Sequence, residues 1–169
     1  METIRLKGDS ATRRRFFVPA SFAHPAKMAS GLFLECLERY SKPGDVVVDV
    51  MAGSGTALLG AMYGRHMILN ELELHFILPM LASWQKIQAH GPALGHTLGH
   101  VCIIRGDARH LPLGSADVVL SSPPYEATDL TKPVNGTTQG NATHKDGLTR
   151  RYSGTRPQVD SIITSPPYE

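Results

Sequence analysis

The chain has 169 residues, a net charge of +2 and 41% hydrophobic residues, a composition that suits one globular domain. It lacks both the roughly 18 consecutive apolar residues of a membrane helix and an apolar stretch typical of a signal peptide, which predicts no membrane association. The two cysteines, Cys36 and Cys102, follow neither a metal-binding spacing nor a disulfide framework, so a reducing cytoplasm is expected.

Residues 1–21 are basic and are predicted to form an irregular N-terminal arm. This segment contains Arg13, Arg14 and Arg15, and a second basic cluster near the end contains Arg150, Arg151 and Arg156. Such clusters are typical either of a solvated surface or of phosphate contacts, and the sequence leaves both interpretations open.

Helical and strand patterns alternate from residue 26 onward. The periodicities predict helices over 26–40, 56–63 and 74–89, and strands over 46–50, 66–70, 101–104 and 117–120. Because strands that alternate with helices form parallel sheets, we expect an α/β fold with a mostly parallel sheet and helices on both faces. No metal site is predicted, although His90, His96 and His100 lie close together in and beside a glycine-rich loop.

A polar segment and an internal repeat follow the last of these strands. Residues 127–159 have few apolar side chains and are predicted to form a long mobile loop. The segment 117–126, which ends in Ser-Pro-Pro-Tyr-Glu, recurs as 160–169 with conservative replacements, so a second strand and turn are expected there. Because this copy ends the chain at the turn itself, we expect the sheet to be incomplete at the C-terminus.

A glycine-rich turn follows the first predicted strand and opens the next helix. Its candidate ligand-binding residues are Asp49, Met51, Gly53, Ser54, Gly55 and Thr56. Glycine allows the backbone to approach a ligand closely, and the start of the helix adds unpaired N–H groups that face it. The same pattern occurs in many nucleotide sites and in ordinary strand-to-helix turns, so it indicates a site only together with other motifs.

Acidic residues follow the second and third predicted strands. An acid about 20 residues beyond the start of such a turn typically accepts hydrogen bonds from ribose hydroxyls, and Glu71 fits this position better than its neighbour Glu73. Asp107 follows the third strand, where its carboxylate can accept a hydrogen bond from an adenine amino group. Because open α/β sheets bind ligands at the carboxyl ends of their strands, the turn and the acids predict one site.

The fourth strand ends in Ser122, Pro123, Pro124 and Tyr125. The two prolines fix the backbone and remove two N–H donors, which leaves carbonyl oxygens as rigid acceptors. A serine oxygen and a proline carbonyl can hold an exocyclic amino group, and Tyr125 can stack on the base that carries it.

The order and spacing of these motifs resemble the amino-group DNA methyltransferases, which make N6-methyladenine or N4-methylcytosine. The family's turn usually reads Asp-Pro-Phe-x-Gly-Ser-Gly-Thr, and here Val50 and Met51 replace the proline and the phenylalanine. The family's catalytic Asp/Asn/Ser-Pro-Pro-Tyr/Phe motif corresponds to residues 122–125. Its His-Pro-x-Lys segment, which packs beside the methionine end of the cofactor, corresponds to His24 and Lys27.

The resemblance implies a Rossmann-like methyltransferase sheet with S-adenosylmethionine as the cofactor. It implies a cofactor-binding and catalytic domain over residues 22–126, followed by the polar loop and the second strand-turn at 160–169. Since the family's sheet has further strands, a partner chain or a further C-terminal part is also expected. The first Ser-Pro-Pro-Tyr copy is the favoured catalytic motif, with the second copy as the alternative.

The implied substrate is DNA whose target base is flipped out of the duplex. Ser122 and the Pro123 carbonyl would accept the amino hydrogens while Tyr125 stacks on the ring, and the methyl group would transfer directly. Adenine and cytosine both remain open, with the serine favouring cytosine slightly. An RNA amino-group methyltransferase and an inactive partial module that needs a partner are the alternatives. A nicotinamide-dependent dehydrogenase is disfavoured because the third glycine of its fingerprint is missing.

Overall fold

The computed structural model describes residues 9–24, 27–122 and 158–164, the last of these as backbone only. Five parallel strands form one sheet in the order β3-β2-β1-β4-β5. The strands are β1 Val46–Asp49, β2 His66–Glu71, β3 Val101–Arg105, β4 Ser115–Ser121 and β5 Gln158–Thr164. The chain moves from β1 outward through β2 to β3 and then returns to the other side of β1. A parallel sheet with this reversal opens a ligand crevice at the carboxyl ends of β1 and β4.

The helices are α1 Asp9–Phe16, α2 Ser30–Tyr40, α3 Leu59–Met62 and α4 Leu74–His90, with 3₁₀ helices at Pro19–Ala23 and Thr56–Leu58. The prediction of an irregular arm was wrong for α1. Its sequence is too polar to show an apolar period, while its Asp9 and Arg13 side chains form hydrogen bonds with residues distant in the chain. Two other predicted helices differ in detail, since α2 begins at Ser30 and the helix expected at 56–63 starts with a 3₁₀ turn.

One apolar core joins the helices to the sheet. Alternate strand residues such as Val47, Met67 and Leu120 pack in the same cluster as Leu37 of α2 and Met80 of α4. This face of the sheet is therefore covered by helices, as the period-two alternation of strands requires.

The opposite face of the sheet is less covered by the described residues. Ile68 and Val119 are partly buried there, and Cys102 is exposed. Within 9–24, 27–122 and 158–164 the structure shows no second helical layer on this face, and most of the β4–β5 connection lies outside those ranges.

The internal repeat forms two neighbouring strands in matched register. Val118 lies opposite Ser161, Leu120 opposite Ile163 and Ser121 opposite Thr164, so equivalent positions of the two copies are paired. The predicted second strand is confirmed as β5, which also includes residues 158 and 159 of the expected loop. Residues 123–157 and 165–169, with the rest of that loop and both Pro-Pro-Tyr turns, lie outside the described residues. None of the described helices is both long enough and apolar enough to cross a membrane.

Candidate active site

The glycine-rich turn depends on two glycines with positive φ, Gly53 at +51° and Gly55 at +79°. A Cβ at Gly53 would lie 2.8 Å from Nε2 of His24, and one at Gly55 would lie 2.7 Å from Cγ of Met80. Both positions therefore require glycine for backbone conformation and for close packing. The turn packs between helix α4 and the N-terminal segment that contains His24.

Glu71, at the end of β2, forms a hydrogen bond with the first glycine of this turn. Its Oε2 accepts a hydrogen bond from the Gly53 N–H at 2.8 Å, and its Oε1 accepts one from the Glu73 N–H at 2.9 Å. The N–H of Gly55 is also occupied, since it donates to the Ala52 carbonyl at 2.8 Å. An anion placed here would meet a carboxylate instead of free donors.

The two acids that compete for the ribose position have different surroundings. The Glu71 side chain is 8% exposed and lies against the turn. The Glu73 carboxylate instead lies 3.8 Å from Nδ1 of His75, in an exposed pair at the start of α4. The structure therefore brings Glu71, and not the side chain of Glu73, to the glycine turn.

Asp49 ends β1 beside the same turn. Its Oδ1 accepts a hydrogen bond from the Met51 N–H at 3.2 Å. Burial, with a smaller contribution from the negative charge of Glu71, raises the pKa of Asp49 to about 7. Among the residues that the structure describes, no salt bridge includes Asp49 or Glu71. Within residues 9–24 and 27–122, the two acids at this edge are therefore not paired with a cationic side chain.

Two apolar side chains stand beside these acids. Met51 is 38% exposed and follows Asp49, and Leu72 is 50% exposed and follows Glu71. Exposed apolar surface next to polar acceptors is typical of small-molecule sites, where it covers the apolar part of a ligand.

Asn70 is a site residue that the sequence patterns missed. Its side chain is buried and its Nδ2 donates to the carbonyls of Val50 and Gly106, both at 3.0 Å, so it links the ends of β1, β2 and β3. Its Oδ1 has no hydrogen-bond partner within the described ranges. The available signal was an amide residue in an otherwise apolar strand, directly before Glu71, because buried polar side chains normally have a bonding task.

Asp107 differs from the other two acids because a neighbouring arginine binds it. Nε of Arg109 donates to Oδ1 at 3.0 Å and to Oδ2 at 2.9 Å, and the Arg109 backbone N–H donates to Oδ1 at 2.9 Å. These hydrogen bonds hold the pKa of Asp107 well below its usual range. Asp107 is thus at the expected edge of the sheet, with both of its oxygens already accepting hydrogen bonds.

His24 and Lys27 are the described residues of the predicted His-Pro-x-Lys segment, and His24 lies beside the turn. The His24 ring packs on Gly53 and lies 4.3 Å, between ring centroids, from Phe76. Nζ of Lys27 donates to the carbonyls of Phe22, at 3.0 Å, and His24, so this ammonium group secures the N-terminal segment.

Two hydroxyl residues of the turn are buried. Ser54 is 4% and Thr56 is 5% exposed. The Thr56 hydroxyl donates to the Met28 carbonyl at 3.3 Å and accepts a hydrogen bond from Arg13 at 3.0 Å, so it faces the protein interior.

Ser122 leaves the sheet at the same edge as the glycine turn. It follows β4, which is the direct neighbour of β1 and has Val119 opposite Val48. The preceding Ser121 is buried, and its Oγ has no hydrogen-bond partner in the described part of the chain. Pro123, Pro124 and Tyr125 lie outside the described residues, so their assigned roles stay predictions.

No family model and no curated protein matches the chain. Among solved structures it is similar to TrmN from Thermus thermophilus, with 24% identity and a TM-score of 0.51 over 66% of this chain and 32% of TrmN. It is also similar to an RNA methyltransferase from Salinibacter ruber in complex with S-adenosyl-L-homocysteine, with 18% identity and a TM-score of 0.49 over 59% and 61% of the two chains. The magnesium protoporphyrin IX methyltransferase of Synechocystis PCC 6803 has 17% identity and a TM-score of 0.44, over 54% and 38%.

The chain therefore has a Rossmann-like methyltransferase fold, as predicted from the sequence. It spans about a third of the length of TrmN and less than two thirds of the Salinibacter ruber enzyme.

Proposed function

We propose that this chain is the S-adenosylmethionine-binding and catalytic part of a methyltransferase that acts on the exocyclic amino nitrogen of a nucleic-acid base. The observation that carries the proposal is the pair of unbalanced acids, Asp49 and Glu71, at a glycine turn that shares its sheet edge with Ser122.

The charge of the crevice favours this cofactor over a dinucleotide. S-adenosylmethionine has an ammonium group, a sulfonium group and ribose hydroxyls, all of which are stabilised by carboxylates. A dinucleotide presents a pyrophosphate to the glycine turn, where the Glu71 carboxylate already occupies the Gly53 N–H and would repel it. Met51 and Leu72 provide apolar cover at the two flanks of the acids.

The proposed chemistry needs little beyond positioning. When bound, the cofactor supplies an electrophilic methyl group. Ser122 and the Pro123 carbonyl accept hydrogen bonds from the amino group of the base, and Tyr125 stacks on its ring, which is worth about 1–3 kcal/mol. Methyl transfer to the amino nitrogen would break the bond between that methyl carbon and the cofactor's sulfur, and the nitrogen would release a proton to solvent. Because the protein would hold the base and the methyl donor in line, the two would not have to meet by diffusion in the reactive orientation.

The proposed substrate is DNA with the base flipped out, and RNA is the alternative. The DNA proposal depends on the likeness of the turn, the acids and the Ser-Pro-Pro-Tyr motif to the amino-group DNA methyltransferases. The first copy of the motif is the proposed catalytic one, because β4 is adjacent to β1 while β5 is one strand further from the glycine turn.

Methyl-labelled cofactor offers a direct test, with duplex DNA and RNA as separate substrates and digestion to nucleosides to identify the product. Ser122→Ala should lower transfer by about 100-fold or more, the typical effect of losing a group that acts on the reacting atoms. The matched variant Ser165→Ala should retain transfer. Loss of transfer in Ser165→Ala alone would assign catalysis to the second copy. Cofactor binding without transfer to either nucleic acid would favour the partial module.

A further inference from the structure

Arg13 is a buried arginine whose contacts reach the end of the glycine turn. It lies in α1, is 5% exposed, and its Nη2 donates to the Met28 carbonyl at 2.6 Å and to Oγ1 of Thr56 at 3.0 Å. Thr56 directly follows Gly55, the residue at φ +79°. Arg13 therefore bonds the turn at its far end, while Glu71 bonds it at Gly53.

Asp9 holds the Arg13 side chain in this position. Nε of Arg13 donates to Oδ2 of Asp9, and Oδ1 accepts hydrogen bonds from the Ser30 N–H, at 2.7 Å, and from its hydroxyl. Although burial opposes it, the hydrogen bonds from Ser30 and Arg13 hold the pKa of Asp9 below its usual value. The Asp9–Arg13 pair thus connects α1, the first residue of α2 and the turn.

Stability alone is a weak reason for such a pair. Buried ion pairs contribute little net stability, because desolvation of the charges offsets their attraction. One guanidinium nitrogen, Nη1, is buried and has no hydrogen-bond partner in the part of the chain that the structure describes. An unsatisfied buried donor lowers stability further. What the guanidinium does supply is a planar fork that can hold a backbone carbonyl, a hydroxyl and a carboxylate at the same time.

We infer that Arg13 is a positioning residue, which acts through Thr56 and Met28 to keep the glycine turn in the shape that binds the cofactor. The inference rests on the proposed function, since it deepens the account of the same site. In the segment predicted as a basic arm, Arg13 is thus buried and contacts the turn, while Arg14 and Arg15 are exposed.

Two measurements on the full chain test this role. The first is the affinity for S-adenosylhomocysteine, measured by calorimetry at a temperature where all variants are folded. Arg13→Gln should raise the Kd about tenfold, while Arg14→Gln, which removes the same charge from the exposed side of the same helix, should leave it unchanged. Thr56→Val should raise the Kd by a similar factor. The rise in Kd of the double variant should be smaller than the product of the two single effects, because both substitutions remove the Arg13–Thr56 hydrogen bond.

Hydrogen exchange of the turn amides, residues 52–56, provides the second measurement and needs no ligand. Arg13→Gln should speed their exchange about tenfold, and Arg14→Gln should not. A variant that lowers only the Tm, with unchanged Kd and unchanged exchange, would show a purely structural role and overturn the inference. If the unsubstituted protein does not bind S-adenosylhomocysteine, the proposed cofactor is wrong, and the exchange data alone decide whether Arg13 shapes the turn.

Discussion

The carboxyl ends of β1 and β2 differ from that of β3, although all three are followed or ended by an acid. Asp49 and Glu71 are without salt bridges among the described residues and lie beside glycine and apolar neighbours. Asp107 is bound by Arg109 two positions later. Acidic residues at the same sheet edge therefore lack a salt bridge among the described residues in one place and are paired with an arginine in the other. A neighbouring basic residue, and not the position of the acid at the sheet edge, therefore decides which acids are neutralised there.

Removing the charge of Glu71 should have the largest effect on cofactor affinity. Glu71→Gln loses an anion in the crevice and weakens the hold on Gly53, so the Kd for S-adenosylhomocysteine should rise about 100-fold, which corresponds to about 2.8 kcal/mol. Glu73→Gln is the matched control, because its side chain is exposed beside His75. A larger loss in Glu73→Gln than in Glu71→Gln would show that the wrong acid has been assigned.

The pKa of Asp49 predicts a pH dependence of cofactor affinity. With a pKa raised to about 7, Asp49 is mostly protonated at pH 6 and mostly ionised at pH 8. A cationic ligand favours the ionised form, so affinity for S-adenosylmethionine should fall by up to about tenfold from pH 8 to pH 6. Titration calorimetry over this range is the measurement, and Asp49→Asn should make the profile flat. An unchanged slope in that variant would assign the titration to another group.

The same pKa predicts how Asp49 affects the stability of the ligand-free protein. The folded-state pKa is about 7 and exceeds the unfolded value of about 3.9, so the folded state binds the proton more tightly. The free energy of unfolding should therefore decline as pH rises from about 4 to 7. The Asp49→Asn variant should not show this decline. At pH 8 its Tm should be a few degrees higher than that of the unsubstituted protein. Denaturation curves at pH 5 and pH 8 measure the free energy of unfolding of both proteins. An equal pH dependence in the unsubstituted protein and in Asp49→Asn would contradict this prediction.

Breaking the Asp107–Arg109 pair should have the smallest effect. Arg109→Ala removes the side-chain hydrogen bonds to both oxygens of Asp107 and leaves the backbone N–H of residue 109 as a donor to Oδ1. The pKa of Asp107 then rises toward its usual range, and the carboxylate stays ionised at neutral pH. Because the pair is on the surface, affinity for the cofactor should change by no more than about threefold. The affinity of the Asp107→Asn variant, measured in the same way, distinguishes the contribution of Asp107 from that of Arg109. Equal and large losses in both variants would mean that the pair itself belongs to the site and would remove the contrast with Asp49 and Glu71.

The order of the first four strands and the sheet edge that carries the candidate site could be predicted from the residue pattern. Local periodicity predicts strands and helices, and right-handed crossover connections place the carboxyl ends of parallel strands at one edge. Gly53, Glu71, Asp107 and Ser122 could therefore be assigned to a common edge without coordinates. The pairing of Asp107 with Arg109 was also within reach of the sequence, since the two residues are close neighbours.

The hydrogen bonds across that edge could not be predicted from the residue pattern and required the folded chain. Asn70 joins three strand ends, Glu71 occupies the Gly53 N–H, and Arg13 reaches Thr56 from a helix that shows no apolar period. Each of these contacts joins residues that are far apart in the chain. Sequence patterns report the preferences of neighbouring residues, whereas these bonds exist only after the core packing of α1, α4 and the sheet has brought distant segments together.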